Sequence, residues 1–532
     1  MTCSAAVRPR PPRPPHPPLT TALLLLAASL GVFAALAAAQ GLPMDDIHVY
    51  RAEGAAVRHG TDLYGFTVTE WNLPATYPPF AALLFVPVAL VPLSVAKGAF
   101  VAGNVALLGW LITLSLRAAR PAGAARPAGA SGPSGAVAGT ASVAAPLSAV
   151  VCLTAAALWL EPVFQTVAFG QINLLLACLV LWDVGRPDGA RAKGFALGLA
   201  AGVKLTPALF AVHLLLTGRL RAACWAAAGF AASVAVGACA LPGASVEFWT
   251  RRMFETARVG KAWIVDNQSL QGLAARLLHE TEPGGLWLAP TLVLAVGGMW
   301  LARRVTVRRG TGADGRPPET GESGGAGERG ELWGIVVTAL VALLVSPISW
   351  SHHWVWCVPL LAALATTGSG TTTPAEQGGS ASGVPWPRVA FACVAVVFTA
   401  RTLWLVPREG DSDLRLDWWQ QPLASPYPLL ALALLGVAAG YVSAGHRPAA
   451  LTPRVPPARI DGDGHARDDR TAPPAADGRK GGRRPECEEA RGGRCAKHDA
   501  GHSADRDPAP GARGARARDV PDHHVGGDGG RS

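Results

Sequence analysis

The sequence predicts an all-α fold, a multi-pass transmembrane helical bundle of about ten to twelve spans. The first observation is the distribution of charge. The chain has 47 Lys and Arg and 37 Asp and Glu in 532 residues, and 31 of these lie from Gly445 onwards. The preceding 444 residues are therefore about 12% charged, whereas soluble proteins carry about 25%. The second observation is a series of apolar runs separated by short basic clusters, a pattern typical of membrane topology.

The first apolar run, Leu19–Ala39, is long enough to cross a bilayer. It follows three arginines, Arg8, Arg10 and Arg13. Its final Ala-Ala-Ala-Gln resembles a signal-peptide cleavage site, but the many later spans favour an uncleaved helix. We therefore place residues 1–18 in the cytoplasm and an outer loop at residues 41–77.

The next run, Phe80–Leu93, has only about 14 residues and several prolines. A bilayer requires about 20 residues, so we expect an interfacial or re-entrant element on the outer side. Gly98–Leu116 then returns to the cytoplasm, where it places Arg117 and Arg120.

The later apolar runs alternate in direction by the same rule, with both termini in the cytoplasm. The predicted spans are Ala144–Leu160, Phe164–Trp182, Ala222–Leu241, Leu286–Leu301, Leu332–Val345, Val355–Leu364, Val389–Val406 and Leu429–Val442. Gly194–Val203 and Pro207–Leu216 are short, and we expect them to form a hairpin or broken pair around Lys204. A second outer loop covers residues 242–285.

Low-complexity stretches interrupt this pattern. Segments 118–142, 303–330 and 366–385 are predicted to be flexible cytoplasmic linkers. The tail at 445–532 is rich in Arg, Asp, Gly and Pro, and is predicted to be disordered and cytoplasmic. A transmembrane domain therefore extends over residues 19–444.

Charged side chains at membrane depth are costly, and therefore indicate function. Asp45 and Asp46 could cap the helix that follows, or one of them could act as a general base at the membrane surface. Lys204 could simply extend towards the interface. Because we place it in the outer half, where cations are uncommon, binding of a phosphate is the functional alternative.

Several further polar residues fall near the predicted outer ends of the spans. They are Tyr77, Gln171, Asn173, Asn267, Gln268, His352 and His353. Each has a simpler explanation: Tyr77 could anchor the chain at the interface, and Gln171 and Asn173 could bridge helices. Asn267 and Gln268 could close a loop or form part of a glycosylation acceptor, and the histidines could lie in an aromatic belt. Their shared placement on one face favours a site that binds a sugar and a phosphate. The sequence has no P-loop, no GxGxxG after a strand and no metal cage, so we expect no nucleotide, metal or other cofactor, and no nucleic-acid partner.

The order of these motifs resembles that of a known family. The motifs are Asp46-Ile47-His48-Val49-Tyr50, Tyr77-Pro78-Pro79-Phe80, Gly170-Gln171-Ile172-Asn173, Lys204-Leu205-Thr206-Pro207, Asn267-Gln268-Ser269-Leu270 and Ser346-Pro347-Ile348-Ser349-Trp350-Ser351-His352-His353-Trp354. They are similar to motifs of the actinobacterial polyprenol-phosphate-mannose-dependent α-(1,2)-mannosyltransferases of glycosyltransferase family 87. The resemblance covers about residues 19–444.

The resemblance implies a GT-C fold in the cell membrane, a polyprenyl-phosphate-mannose donor and a glycolipid or lipoglycan mannoside acceptor on the extracytoplasmic side. It implies that Asp46 is the catalytic aspartate, with Asp45 as the second candidate. It further implies that Lys204 contacts the lipid phosphate, and that His352 or His353 lies near the sugar phosphate.

Three alternatives remain open from the sequence. The enzyme could transfer another polyprenyl-phosphate-linked sugar, because the motifs position a sugar phosphate without specifying the sugar. The chain could transport or flip a lipid-linked glycan, although it shows no internal symmetry. It could also be a non-catalytic homologue that supports envelope assembly.

Overall fold

The computed structural model describes residues 17–41, 44–119, 145–308, 324–367, 386–408 and 411–444. Its regular structure is almost entirely α-helical, which confirms the predicted fold class. Within these ranges the only strands are β1 (Thr67–Val68) and β2 (Leu73–Pro74), a short antiparallel hairpin. The predicted tail at 445–532 and most of the predicted linkers lie outside the described residues.

The helices of the first half and the turns between them carry six of the ten predicted site residues. They are α1 (Leu19–Ala39), α2 (Asp45–His59), α3 (Pro79–Leu90), α4 (Leu93–Ala119), α5 (Leu147–Ala157), α6 (Glu161–Phe169), α7 (Asn173–Val184), α8 (Phe195–Val203), α9 (Ala208–Leu216) and α10 (Leu220–Ala240). In this half α1 packs on α5, α2 on α3, and α8 on α10.

The helices of the second half lie before and after the histidine loop, residues 346–356. They are α11 (Pro242–Thr250), α12 (Leu270–Leu278), α13 (Gly285–Arg308), α14 (Gly324–Val345), α15 (Cys357–Thr367), α16 (Trp386–Thr399), α17 (Gln421–Ala424) and α18 (Pro426–Ala444). Among the described residues, the 3-10 segments between these helices are Arg252–Phe254, Thr256–Arg258, Ser351–Trp356, Thr402–Trp404 and Ser412–Arg415. Because α13 continues to Arg308 and α14 begins at Gly324, the predicted linker at 303–330 is partly helical.

The chain is a multi-pass membrane protein. Six described helices are long and apolar enough to cross a bilayer: Leu19–Ala39, Leu93–Ala119, Leu220–Ala240, Gly285–Val307, Trp386–Trp404 and Pro426–Ser443. The pair α5 and α6, bent by 82°, would make a seventh span. This number is below the ten to twelve predicted, because several other apolar segments form helices of only 9 to 17 residues.

One predicted span is wrong in detail. Phe164–Trp182 is not a continuous helix, because α6 ends at Phe169 and α7 begins only at Asn173. Gly170 ends α6 with a φ of +72°, a conformation that favours glycine. A Cβ atom at Gly170 would also overlap the side chain of Ile47 in α2. The chain therefore turns at this point, and the turn places Gln171 beside α2.

The predicted outer loop at 41–77 contains the helix α2, which has 15 residues. Gly54 lies so close to α3 that a Cβ atom there would be 2.5 Å from the carbonyl oxygen of Phe85. The rings of Tyr50 and Phe85 stack with centroids 4.2 Å apart, and Arg51 Nη1 donates a hydrogen bond to Val88 O at 3.0 Å. These contacts fix α2, and with it Asp46, against α3.

The close contact between α2 and α3 yields a stability prediction. We expect Gly54→Ala to destabilise the protein by about 2 kcal/mol, since its Cβ meets backbone atoms of α3 that cannot rotate away. The measurement is thermal unfolding of the purified full-length protein in detergent.

The matched control is Gly103→Ala in α4, where a Cβ would meet no atom within 4 Å. Alanine is favoured over glycine inside a helix by about 1 kcal/mol, so this variant should be as stable as the wild type or more stable. Equal unfolding temperatures for the two variants would contradict the close packing of α2 on α3.

Candidate active site

The helix α2 presents Asp46 to the interior of the protein. Asp46, Tyr50 and Glu53 are spaced i, i+4 and i+7, so they share one face of the helix. The Asp46 carboxylate interacts with Gln171 and Lys204, whereas that of Asp45 interacts with His48, Glu70 and Lys97. The two adjacent acids therefore face different groups, and Asp46 is the one directed towards Lys204.

Gln171 connects Asp46 to two tyrosines. Its Oε1 accepts hydrogen bonds from the hydroxyls of Tyr50 at 3.1 Å and Tyr77 at 3.3 Å. The Gln171 side chain is also hydrogen-bonded to Asp46. Because the amide oxygen is already occupied by two donors, the amide NH₂ is the group that donates to the Asp46 carboxylate. The arrangement holds Asp46 in one orientation and stabilises its anion.

Lys204 lies in the extended segment between α8 and α9, as the sequence predicts for a broken pair. Its Nζ donates a hydrogen bond to Asn173 Oδ1 at 3.1 Å and lies 3.0 Å from His353 Nε2. It also lies 5.6 Å from the centre of the Tyr77 ring. Among the described residues, no carboxylate pairs with Lys204 within 4 Å. A partly buried ammonium held by neutral groups can accommodate an anion.

The two histidines occupy different environments. The carbonyl oxygen of His352 accepts hydrogen bonds from Thr166 Oγ1 at 3.0 Å and Asn173 Nδ2 at 3.1 Å. Its ring is buried, and its Nε2 has no hydrogen-bond partner. His353 is the histidine whose ring contacts Lys204. Asn173 therefore links the histidine loop to Lys204 through the two ends of one amide.

Asn267 and Gln268 do not join this group. Both are fully buried, and their amides are occupied by the chain itself. Asn267 donates to Pro347 O at 3.1 Å and accepts from Ser349 N at 2.8 Å. Gln268 donates to Ala424 O at 2.7 Å. These hydrogen bonds hold loops in place, which agrees with the loop-closure alternative, and the direct substrate contact of Asn267 and Gln268 stays a prediction.

The charge states follow from burial. Burial raises the pKa of Asp46 to about 6, although the hydrogen bond from Gln171 and the Lys204 ammonium act against this rise. Burial and the nearby Lys204 ammonium hold the pKa of His353 well below its usual range. At neutral pH Asp46 is therefore largely ionised and His353 is neutral. The site thus contains a carboxylate that can accept a proton and a lysine that can bind an anion.

A cleft extends from Lys204 between α7, α9 and α14. One end is polar and is formed by Lys204, Asn173 and His353. The remainder is mainly apolar, and includes Leu176, Val180, Phe210, Ala342 and Leu343. A ligand that has an anionic head and an apolar chain matches this lining.

Three residues near the site had no role in the sequence-based prediction: Tyr50, Glu53 and Thr166. Tyr50 and Glu53 follow Asp46 at i+4 and i+7, and this spacing was a usable signal once the loop was read as a helix. Thr166 holds His352 from α6, and no feature of the sequence indicates that contact. Within the ranges that the structure describes, no three His, Cys, Asp or Glu side chains form a metal-binding group.

The sequence is similar to those of known proteins. The model of glycosyltransferase family 87 matches residues 75–314. A polyprenol-phosphate-mannose-dependent alpha-(1-2)-phosphatidylinositol mannoside mannosyltransferase of Mycobacterium tuberculosis H37Rv is 32% identical over 415 residues, covering 76% of this chain and 86% of the relative. A protein of the same name from Mycolicibacterium smegmatis is 31% identical over 408 residues, covering 75% of this chain and 84% of the relative.

A third relative is a polyprenol-phosphate-mannose-dependent alpha-(1-2)-phosphatidylinositol pentamannoside mannosyltransferase of Mycobacterium tuberculosis CDC 1551. It is 33% identical over 447 residues, covering 81% of this chain and 89% of the relative. No solved structure matches the chain. The relatives are similar over most of both chains, and the family model matches residues 75–314. This membrane protein therefore belongs to glycosyltransferase family 87.

Proposed function

We propose that the protein transfers mannose from polyprenyl phosphate mannose to a lipid-linked mannoside and forms an α-(1,2) linkage. The names of the relatives support the donor, the linkage and a phosphatidylinositol mannoside as the acceptor class. The observation that carries the proposal is that the Asp46 carboxylate interacts with Lys204, and that Lys204 lies at the polar end of an apolar cleft.

The donor phosphate binds at Lys204, Asn173 and His353, and the isoprenoid chain follows the apolar part of the cleft. Phosphate is an anionic leaving group, so it requires positive charge and hydrogen bonds rather than protonation. The Lys204 ammonium supplies the charge. Once Lys204 turns towards the phosphate, the neutral His353 ring donates a hydrogen bond in the tautomer that carries its proton on Nε2, and Asn173 donates through the amide N–H that His352 O does not use.

Asp46 acts as the general base. Its carboxylate accepts the proton of the acceptor 2-hydroxyl, and that oxygen forms a bond to the anomeric carbon of the donor mannose. The bond between the anomeric carbon and the phosphate oxygen breaks on the opposite face, so a β-linked donor gives an α product. The products are the extended mannoside and polyprenyl phosphate. The Asp46 side chain is partly exposed, and its proton returns to solvent.

We place this reaction on the extracytoplasmic side of the plasma membrane, with both termini in the cytoplasm. The basic clusters after α4 and α13 support this orientation, because cytoplasmic loops are enriched in Lys and Arg. In this arrangement residues 19–444 form the catalytic membrane domain. Residues 1–18 and 445–532 form cytoplasmic extensions.

Removing the base tests the catalytic assignment. We expect Asp46→Asn to lower the rate of mannose transfer by about 10²–10⁴-fold, the range for loss of a general base. Membranes containing the variant are assayed with radiolabelled polyprenyl phosphate mannose, and expression is checked by immunoblot. Asp45→Asn is the matched control and should lose less than about tenfold, since Asp45 faces other groups. Transfer at the wild-type rate by Asp46→Asn would refute the role of Asp46.

Removing the cation tests the phosphate site. Lys204→Gln should lower kcat/KM for polyprenyl phosphate mannose by about 10²–10³-fold, because the departing phosphate loses the full positive charge of the Lys204 ammonium. Lys261→Gln, in an exposed ion pair with Asp411, is the control and should behave like the wild type. If both variants lose activity equally, Lys204 has no special contact with the donor.

The pH dependence tests the contact between Gln171 and Asp46. A general base must be ionised, so kcat/KM should fall as the pH drops through about 6, the value to which burial raises the pKa of Asp46. Gln171→Ala removes a hydrogen bond that lowers this pKa, so its acidic limb should lie at higher pH. The profiles of the two proteins are compared with radiolabelled donor between pH 4.5 and 8. Identical limbs would show that Gln171 does not stabilise the Asp46 anion.

A further inference from the structure

A second apolar groove, separate from the cleft at Lys204, lies between α1 and α4. It is lined by Leu30 of α1 and by Lys97, Gly98, Val101, Ala102, Val105 and Ala106 of α4. The residues of α4 recur at a spacing of three or four, so they form one continuous face. This face extends over ten residues, and its two ends lie about 14 Å apart along the helix. Lys97 is the only charged residue of the groove and occupies one of its ends.

Lys97 lies beside the acidic pair of α2. The beginning of α4 packs against the beginning of α2, where Ala96 and Ile47 share an apolar cluster. The Lys97 ammonium interacts with the Asp45 carboxylate, and the Lys204 ammonium interacts with that of Asp46. Each of the two adjacent acids thus has its own lysine, and each lysine stands at the end of its own apolar groove.

The two grooves match the chemistry of the proposed reaction. That reaction joins two amphiphiles, and each combines an apolar chain with an anionic phosphate. The donor requires one groove with one cation, and the cleft at Lys204 provides both. An acceptor of the phosphatidylinositol mannoside class requires the same pair of features a second time. The groove at Lys97 provides them on the side of Asp45.

We propose that the groove between α1 and α4 binds the acceptor lipid, with an acyl chain along the small residues of α4 and the phosphodiester at Lys97. This inference rests on the proposed function. The small side chains of Gly98, Ala102 and Ala106 let an acyl chain approach the helix closely. Among the described residues, Lys97 has no ion pair within 4 Å, so its ammonium is available to a phosphate. The head group then extends past Asp45 towards Asp46.

Binding tests the groove without requiring catalysis. The full-length protein is placed in phosphatidylcholine nanodiscs and titrated with radiolabelled phosphatidylinositol monomannoside. We expect Ala102→Trp, which fills the groove, and Lys97→Gln each to weaken binding about tenfold. Ala99→Trp is the matched control: Ala99 is exposed on the same helix but does not line the groove, so this variant should bind like the wild type. Wild-type affinity in both groove variants would overturn the proposal.

The KM values for the two lipid substrates identify which of them occupies the groove between α1 and α4. Ala102→Trp and Lys97→Gln should raise the KM for the lipid acceptor about tenfold more than the KM for polyprenyl phosphate mannose. The reverse pattern would assign the groove to the isoprenoid chain of the donor and overturn the proposal. A wild-type protein that transfers no mannose would refute the proposed function instead. In that case the binding titration still decides whether the groove binds phosphatidylinositol monomannoside.

Discussion

The site depends on one constraint: the Lys204 ammonium lies inside the protein, and in the part of the chain that the structure describes no carboxylate oxygen lies within 4 Å of it. Lys204 is held by an amide oxygen of Asn173, a ring nitrogen of His353 and the face of Tyr77. Burying a charge with neutral partners is costly, and an anionic ligand removes that cost. The three partners come from distant parts of the chain, so α7, the histidine loop and the beginning of α3 must meet at this point.

Asn173 holds the histidine loop and the segment that carries Lys204 together. One end of its amide accepts from Lys204, and the other end donates to the backbone of His352. The loop is fixed again from its far side by Asn267, which contacts Pro347 and Ser349. The histidine loop is therefore held between two buried amides. The polar residues conspicuous in the sequence divide into those that surround Lys204 and those that hold this loop.

The sequence predicted the helical membrane fold, the break at Lys204 and the grouping of Asp46, Lys204 and the histidines near one another. These features are encoded locally, by apolar runs, basic clusters and the cost of isolated charges. The turn at Gly170 was missed because a single glycine in an apolar run does not reveal the contact with Ile47. The amide partners of Asn267 were missed for the same reason, since residues about 80 positions away supply them.

The packing of Gly54 against Phe85 has a consequence for how the base meets its substrate. The close approach of Gly54 to the Phe85 carbonyl fixes the position of α2 on α3, and with it the distance from Asp46 to Lys204, where we propose that the donor phosphate binds. In the proposed reaction, the Asp46 carboxylate accepts a proton only from an acceptor hydroxyl that reaches this fixed position. Selection among mannosides of different size can therefore arise from helix packing alone, at positions that touch no sugar.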